Sequence, residues 1–273
     1  SGVIRGRILD FDSLLADLQL VASGDFKSLS EWAGIKSSDS EGDLTFDGHL
    51  KGDLLRLSET LNFDGLATLK SGKIFGWSVD SAKIGARIES QGNLADALLS
   101  LKSGEFLLAG KSGKVSVGAT QFRLGKDVAL KIPLTLADAK LGALLGPYHQ
   151  AIDSLQTTWS GKIDTELQAN SKTFLIKGFS DIRAPSLKLV GKGNKAILEA
   201  RAPTLRGEFE VDAHQFVPSR LELAFEKSKF NLGGKVAWAG DLIQWDLLAG
   251  GSTDLSDLVS LGGASILGKG TLQ

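Results

Sequence analysis

The chain contains no cysteine and no methionine, and only 5 prolines, 1 tyrosine and 3 histidines in 273 residues. Without cysteine there is no disulfide framework, no thiolate metal site and no cysteine nucleophile. A cysteine-free chain suits the periplasm as well as the cytosol, so this absence leaves the compartment open. Charge of one sign is not in excess either. Lys+Arg number 31 against 32 Asp+Glu, a net charge of −1, where a nucleic-acid binder needs a basic surface to displace counterions. No apolar run exceeds 5 residues, far short of the ~20 that a membrane-spanning helix requires. The missing methionine means that the chain does not start at a natural start codon. It opens Ser1-Gly2 and stops at Thr271-Leu272-Gln273 inside what reads as a strand. It therefore reads as a fragment of a longer protein, with any signal peptide, anchor or terminal domain outside it.

What remains is ordinary globular composition, 42% hydrophobic and 23% charged, which argues against wholesale disorder. The length suits one or two domains of roughly 100–200 residues. Glycine is the outlier, at 33 residues. Many glycines beside Asp, Ser and Lys, with few prolines, suggest many short strands joined by tight turns.

Period-2 alternation is the dominant pattern. Leu44, Phe46, Gly48 and Leu50 form one such set; Ala82, Ile84, Ala86 and Ile88 another. Val128 to Leu136, Leu205 to Ala213 and Phe230 to Trp238 repeat it, as do Ile163, Leu167 and Ala169. Successive strand side chains point to opposite faces, so each segment has one oily face and one wet face. That is the mark of antiparallel sheet; buried parallel strands would read as continuous apolar runs. Asp47-Gly48, Ser71-Gly72, Ser103-Gly104, Ser112-Gly113, Ser160-Gly161 and Gly191-Lys192-Gly193 read as turn signals. Strands of about 5–8 residues between them give roughly 16 strands.

Helical pattern is scarce. Phe26, Leu29 and Trp32 follow Asp25 as a possible N-cap and stop at Gly34, predicting a short helix near 26–33. Leu94, Leu98 and Leu101 predict one near 94–102, and Leu141, Leu144 and Leu145 one near 139–145. Pro147 opens a further candidate through Leu155, and Leu255, Leu258 and Leu261 follow Asp254. Each is about two turns, too short to stand alone in water. Three of them follow an aspartate and precede a Gly-initiated amphipathic strand. Asp25 to Asp138 is 113 residues and Asp138 to Asp254 is 116. This recurrence predicts an elongated, repeat-built molecule: 1–137, 138–253, and the start of a third repeat at 254–273.

The helix, polar linker and Gly-initiated strand, with Asn62-Phe63-Asp64-Gly65-Leu66-Ala67-Thr68-Leu69, Lys73-Ile74-Phe75-Gly76-Trp77-Ser78-Val79-Asp80 and Leu101-Lys102-Ser103-Gly104-Glu105-Phe106, resemble the AsmA/TamB superfamily of bacterial envelope proteins. The resemblance is one of style over nearly the whole chain. It implies a mainly β fold, a long curled antiparallel sheet forming an elongated groove (a β-taco) with a few short amphipathic helices. It also implies a periplasmic segment of a protein anchored in the inner membrane, moving phospholipid towards the outer membrane. For TamB-like members it implies partnership with a barrel of the BamA class in outer-membrane protein assembly. It brings no catalytic signature and no cofactor.

Physics leads towards the same architecture. A long sheet with one oily face must close into a barrel, pack as a sandwich, or curl so that the face lines a groove. A groove would be lined by Leu44, Phe46, Leu50, Phe75, Trp77, Val79, Ile84, Ile88, Phe106, Leu108, Val115, Val117, Val128, Leu130, Ile132, Leu134, Ile163, Leu167, Leu205, Phe209, Val211, Leu221, Leu223, Phe225, Phe230, Leu232, Val236 and Trp238. Two other readings fit the alternation: a scaffold or chaperone-like component whose sheet edge templates client strands, and a plain β-sandwich surface module.

No chemistry-bearing constellation competes. His49, His149 and His214 are far apart, without metal-site spacing. Asp10, Asp12 and Asp17 lack the glycine and glutamate of a calcium loop. Gly191-Lys192-Gly193-Asn194-Lys195 reads as a hairpin turn, since no Ser or Thr and no helix follow as in a P-loop. An enzyme is the least expected class.

Overall fold

A computed structural model describes residues 2–10, 14–28, 41–74, 77–90, 92–93, 96–123, 128–140, 143, 157–169, 173–190, 196–239, 242–254, 258–261, 264–265 and 271–272. The fold is mainly β. The strands are β1 (Gly2–Asp10), β2 (Leu15–Asp25), β3 (Glu41–Asp53), β4 (Asn62–Ile74), β5 (Trp77–Glu89), β6 (Leu98–Leu108), β7 (Lys114–Val117), β8 (Thr120–Arg123), β9 (Val128–Lys140), β10 (Thr158–Ala169), β11 (Phe174–Arg183), β12 (Ser186–Val190), β13 (Ala196–Arg201), β14 (Thr204–Asp212), β15 (Gln215–Ala224), β16 (Lys229–Ala239), β17 (Leu242–Asp254), β18 (Leu258–Leu261), β19 (Ala264–Ser265) and β20 (Thr271–Leu272). The main sheet follows the order β1-β2-β3-β4-β5-β6-β7-β9-β10-β11-β14-β15-β16-β17-β20, with β8 on β6. A second sheet has the order β12-β13-β18-β19. Most strands of the main sheet pair with their neighbour in sequence, the meander topology that short connections favour.

The chain divides into two compact units. The first holds β1 to β6, β8, most of β7, the first part of β9 and the last two residues of β10; the second holds the rest of β9 and β10, β11 to β20 and the start of β7. In the first unit, a 3-10 turn (Leu54–Arg56) and a helical turn (Leu57–Thr60) join β3 to β4. Asp53 caps them: its carboxylate accepts from Leu55 N at 2.9 Å and from Arg56 Nε at 3.0 Å. The Thr60 hydroxyl closes the loop, accepting from Asp53 N at 2.9 Å.

The strands run longer than the glycine signals suggest. Gly48, Gly72, Gly104 and Gly161 all lie inside strands, not in turns. Within a strand, glycine marks a bulge or a close approach. Gly48 and Gly65 face each other on β3 and β4. The Phe63 ring lies over both, so that an added Cβ would meet its Cζ at 2.8 Å from Gly48 and 2.6 Å from Gly65. Ser71, at φ +46°, marks an irregularity where Gly42 pairs Gly72 but Asp43 pairs Lys70. Ser112-Gly113 does lie between strands, and Gly191–Gly193 fall outside the described residues.

The helical expectations fare worse. Leu98 and Leu101 sit in β6, with Leu101 opposite Ala86 and Leu99 opposite Ile88. A short Leu-rich run satisfies both the helical and the strand period, and pairing with β5 decides between them. Ala139 and Lys140 end β9, and Leu258 and Leu261 form β18 on β13. Residues 26–28 are helical, while 29–34, 141–142 and 144–156 lie outside the described residues.

Candidate functional site

The alternation resolves into continuous apolar ladders. In the first unit, Leu18, Leu50, Phe63, Ile88 and Leu99 stand opposite one another on β2 to β6. Ala22, Phe46, Ala67, Ile84 and Gly104 form a second row, and Gly24, Leu44, Leu69, Ala82 and Phe106 a third. Phe46 stacks on Phe63 with ring centroids 5.2 Å apart. The second unit builds its own rows: Ile176, Val211, Phe216 and Val236, and Ile182, Leu205, Leu223 and Phe230, on β11 and β14 to β16.

Burial distinguishes two parts of these rows. Val79, Phe106, Leu108, Val115, Leu221, Phe225 and Val236 are buried, with Leu69, Ile74, Trp159 and Ile182. In the first unit Leu69, Ile74, Val79, Phe106 and Leu108 lie towards the C-terminal ends of β4 and β6 and the N-terminal end of β5, while Ala16 and Ala97 are buried at the opposite end, where β2 and β6 begin. The other predicted lining residues that are described are half-buried, from Leu44, Phe46 and Leu50 on β3 to Leu232 and Trp238 on β16. Phe75 lies outside the described residues. A second layer packed about 10 Å away would bury these side chains as a sandwich core does. Here they keep part of their surface accessible. The sequence reading missed Leu18, Phe63, Leu99 and Phe216, which occupy these rows, and Leu20 and Leu101, which end a further row through Gly48, Gly65 and Ala86; all six are half-buried. Their signal was present: Leu18 and Leu20 alternate with Asp17 and Gln19, and Leu99 and Leu101 with Ser100 and Lys102.

The opposite face is polar. On β3, Glu41, Asp43, Thr45, Asp47, His49 and Lys51 are all exposed while their even-numbered neighbours are not. Asp17, remote in sequence from His49 and Lys51, is brought to both: Lys51 Nζ lies 3.1 Å and His49 Nδ1 3.9 Å from its carboxylate. Lys102 Nζ reaches Asp64 at 2.6 Å. An open concavity of about 810 Å³ on this face is lined by Gln19, Asp47, His49, Lys51, Asp64 and Arg87 among others. Lys51, Lys102 and Arg87 are paired with Asp17, Asp64 and Glu89, so its cations are largely answered by its own carboxylates. Lys83, Lys131 and Lys229 are exposed, and Arg87 is half-buried.

Among the described residues no three His, Cys, Asp or Glu side chains converge on a point that could hold a metal ion. Asp10 and Asp17 lie in β1 and β2, His214 follows β14, and Asp12 and His149 lie outside the described residues. Trp77, Trp159, Trp238 and Trp245 are in strands. Trp238 Nε1 donates to Ala213 O at 2.7 Å, and Trp77 meets Phe106 edge-on with centroids 6.4 Å apart. Pro133 sits within β9 where β7 gives out, and Gly118 N donates to its carbonyl at 2.8 Å.

Among the described residues three carboxylates are held below the usual aspartate value of 3.8. The Arg56 guanidinium holds Asp53 down, helped by the Leu55 and Arg56 amides. The Ser28 amide and hydroxyl do the same for Asp25, and the His214 amide and Gln215 side chain for Asp212. A depressed folded-state value adds stability that is fully present above the unfolded value and is lost as pH falls through the folded one. Thermal stability is therefore expected to hold from neutral pH down to about pH 5 and to fall below about pH 4. Asp53→Asn, which keeps the shape but removes the charge-assisted bonds, should lower Tm by about 2–4 °C at pH 7 and flatten that acid limb. Melting curves at pH 3 to 7 check both.

Comparison with protein-family models, with curated proteins and with solved structures gives no match for this chain.

Proposed function

We propose that the half-buried apolar face carries lipid acyl chains, as a segment of an AsmA/TamB-like envelope protein that moves phospholipid between the inner and outer membranes. The observation that carries this reading is the unfinished burial of the rows Leu18–Leu50–Phe63–Ile88–Leu99 and Phe46–Ala67–Ile84. Half-buried apolar side chains leave apolar area in contact with water, and a continuous patch of that kind marks a binding surface. Five strands at about 4.8 Å spacing span roughly 20 Å, longer than the ~15 Å that acyl chains occupy in one leaflet of a ~30 Å hydrocarbon core. Each CH₂ removed from water gains roughly 0.8 kcal/mol. A chain leaving a bilayer for this face exchanges one apolar surrounding for another, so transfer is close to balanced and needs no chemistry.

The resemblance supplies the rest of the proposal: a periplasmic location, an inner-membrane anchor outside this sequence, and a headgroup left in water at the margin of the apolar face. Direction comes from partners at the two membranes, with a barrel of the BamA class as a candidate at the outer one. The test is direct. The protein, purified from a bacterial envelope without detergent, is extracted with chloroform and methanol, and the extract is read by mass spectrometry. Phospholipid at a substantial fraction of one molecule per chain is expected. A lipid-free extract overturns the reading.

A further inference from the structure

The concavity on the polar face of the first unit is a second place where side chains from several strands converge. Its volume of about 810 Å³ falls within the roughly 300–1,000 Å³ of small-molecule sites. Strand register builds it. Gln19, His49, Asp64 and Arg87 stand opposite one another on β2 to β5, and Asp47, Leu66, Gly85 and Ser103 on β3 to β6. A bulge adds Lys102. Gly85 pairs with Ser103 and Ala86 with Leu101, which leaves Lys102 as the extra residue of β6. Its side chain crosses β5 at Gly85, where an added Cβ would stand 3.6 Å from that of Lys102. On β4 it donates to both Asp64 carboxylate oxygens, at 2.7 and 2.6 Å.

We propose that this concavity binds a neutral saccharide. The charges decide the class. Lys51, Lys102 and Arg87 already face Asp17, Asp64 and Glu89, so an anion finds its counter-charges taken. It would also meet Asp47, which is in no ion pair among the described residues and whose cross-strand neighbours, Val21 and Leu66, are uncharged. A cation would meet three basic side chains against two carboxylates in the same lining. Hydrogen-bonding capacity, by contrast, is left over in both senses. Gln19 Nε2 reaches Asp47 only by a long bond of 3.4 Å, so this carboxylate can accept more. Arg87 has five N–H groups; Nη2 meets Glu89, and its buried Nε has no partner. A hydroxyl both donates and accepts. A ligand rich in hydroxyls therefore answers both kinds of group and brings no charge to disturb the three pairs. Leu66 supplies the remaining element. It is the one apolar side chain in the lining and is 47% exposed, a surface that the C–H face of a sugar ring can cover. A peptide would need pockets for alternate side chains, which one leucine on a polar face does not provide.

The proposal does not depend on the lipid reading, and its test uses no lipid. Nitrogen–proton correlation spectra of the whole chain are recorded during titration with maltohexaose, cellohexaose and chitohexaose, and separately with inorganic phosphate. At least one of the three oligosaccharides is expected to shift the amides of residues 47–49, 64–66 and 85–87. Its affinity should be the same at about 0.05 and about 0.5 M salt, since no charge is there to be screened. Asp47→Ala should weaken binding roughly tenfold and Leu66→Ala roughly threefold to tenfold. Lys83→Ala, on the same face but outside the lining, should leave it unchanged. Asp47 and Leu66 are exposed, and the remainder of each variant's spectrum verifies its fold. No shift with any of the three oligosaccharides overturns the proposal. So do shifts confined to residues outside the concavity, binding of phosphate in place of sugar with an affinity that falls as salt rises, and wild-type affinity in both Asp47→Ala and Leu66→Ala.

Discussion

Gly207→Ala is expected to cost about 3–5 kcal/mol and to lower Tm by 10 °C or more, the largest single-site loss foreseen in the second unit. Gly207 lies on β14 at φ +135°, a region of backbone space closed to side-chain-bearing residues. It pairs with Leu221, one step from the irregularity at Glu208 and Phe209 where β14 and β15 lose register. A Cβ at 207 would fall on the Arg220 carbonyl oxygen and 3.0 Å from Leu221 Cα. Both obstacles are backbone of the paired strand, so neither can swing aside as a side chain would. Relief requires β14 and β15 to separate locally, and the rows through Leu205–Leu223 and Val211–Phe216 would separate with them. Gly233→Ala is the control. Gly233 has nothing within 4 Å of where its Cβ would stand and no unusual φ. There the change should be neutral or gain up to about 1 kcal/mol by restricting the unfolded chain. Urea unfolding of both variants, followed by circular dichroism, checks the pair.

The second large effect concerns function. The double change Phe46→Asp and Ile84→Asp is expected to reduce copurifying phospholipid at least tenfold while leaving the fold in place. These residues flank Ala67 in one row of β3, β4 and β5. Both are half-buried, so a carboxylate at either position keeps access to water and does not pay the full cost of a buried charge. An acyl chain lying on the row would have to strip that water away, which is unfavourable by several times RT. Thr45→Asp with Lys83→Asp puts two carboxylates at neighbouring positions on the polar face, where both residues are exposed. That pair should retain wild-type lipid. Equal loss in both double variants would trace the effect to net charge and not to the apolar rows.

How far the sequence carries the fold depends on which interaction decides each element. Leu44 to Leu50 and Leu205 to Val211 were legible as two-faced strands, because side-chain alternation is local and both stretches keep it without interruption. Gly48, Gly72, Gly104 and Gly161 were misread as turns because a glycine beside Asp or Ser carries the same local signal in a turn and in a strand. What separates the cases is a ring such as Phe63 over Gly48 and Gly65, or a kinked residue such as Ser71, and neither is local. Leu98 and Leu101 suit a helix as well as a strand, and the partner strand β5 makes the choice. The same limit applies to the site. Alternation identified Phe46 and Ile84 as facing one way, but said nothing about whether a second layer covers them; only the structure shows them half-buried. The Asp17–His49–Lys51 cluster depends on the register of β2 against β3, which no spacing in the sequence encodes.

The most direct measurement of the lipid account uses two adjacent positions on one strand. Ile84 is half-buried on the apolar face of β5, and Lys83 is exposed on the polar face. A photo-crosslinking phenylalanine analogue is placed at each in turn, the protein is irradiated in cells, and intact mass spectrometry reads the adducts. The account predicts phospholipid adducts at 84 and none at 83. Adducts at both positions, or at neither in a protein shown to be folded, would contradict it.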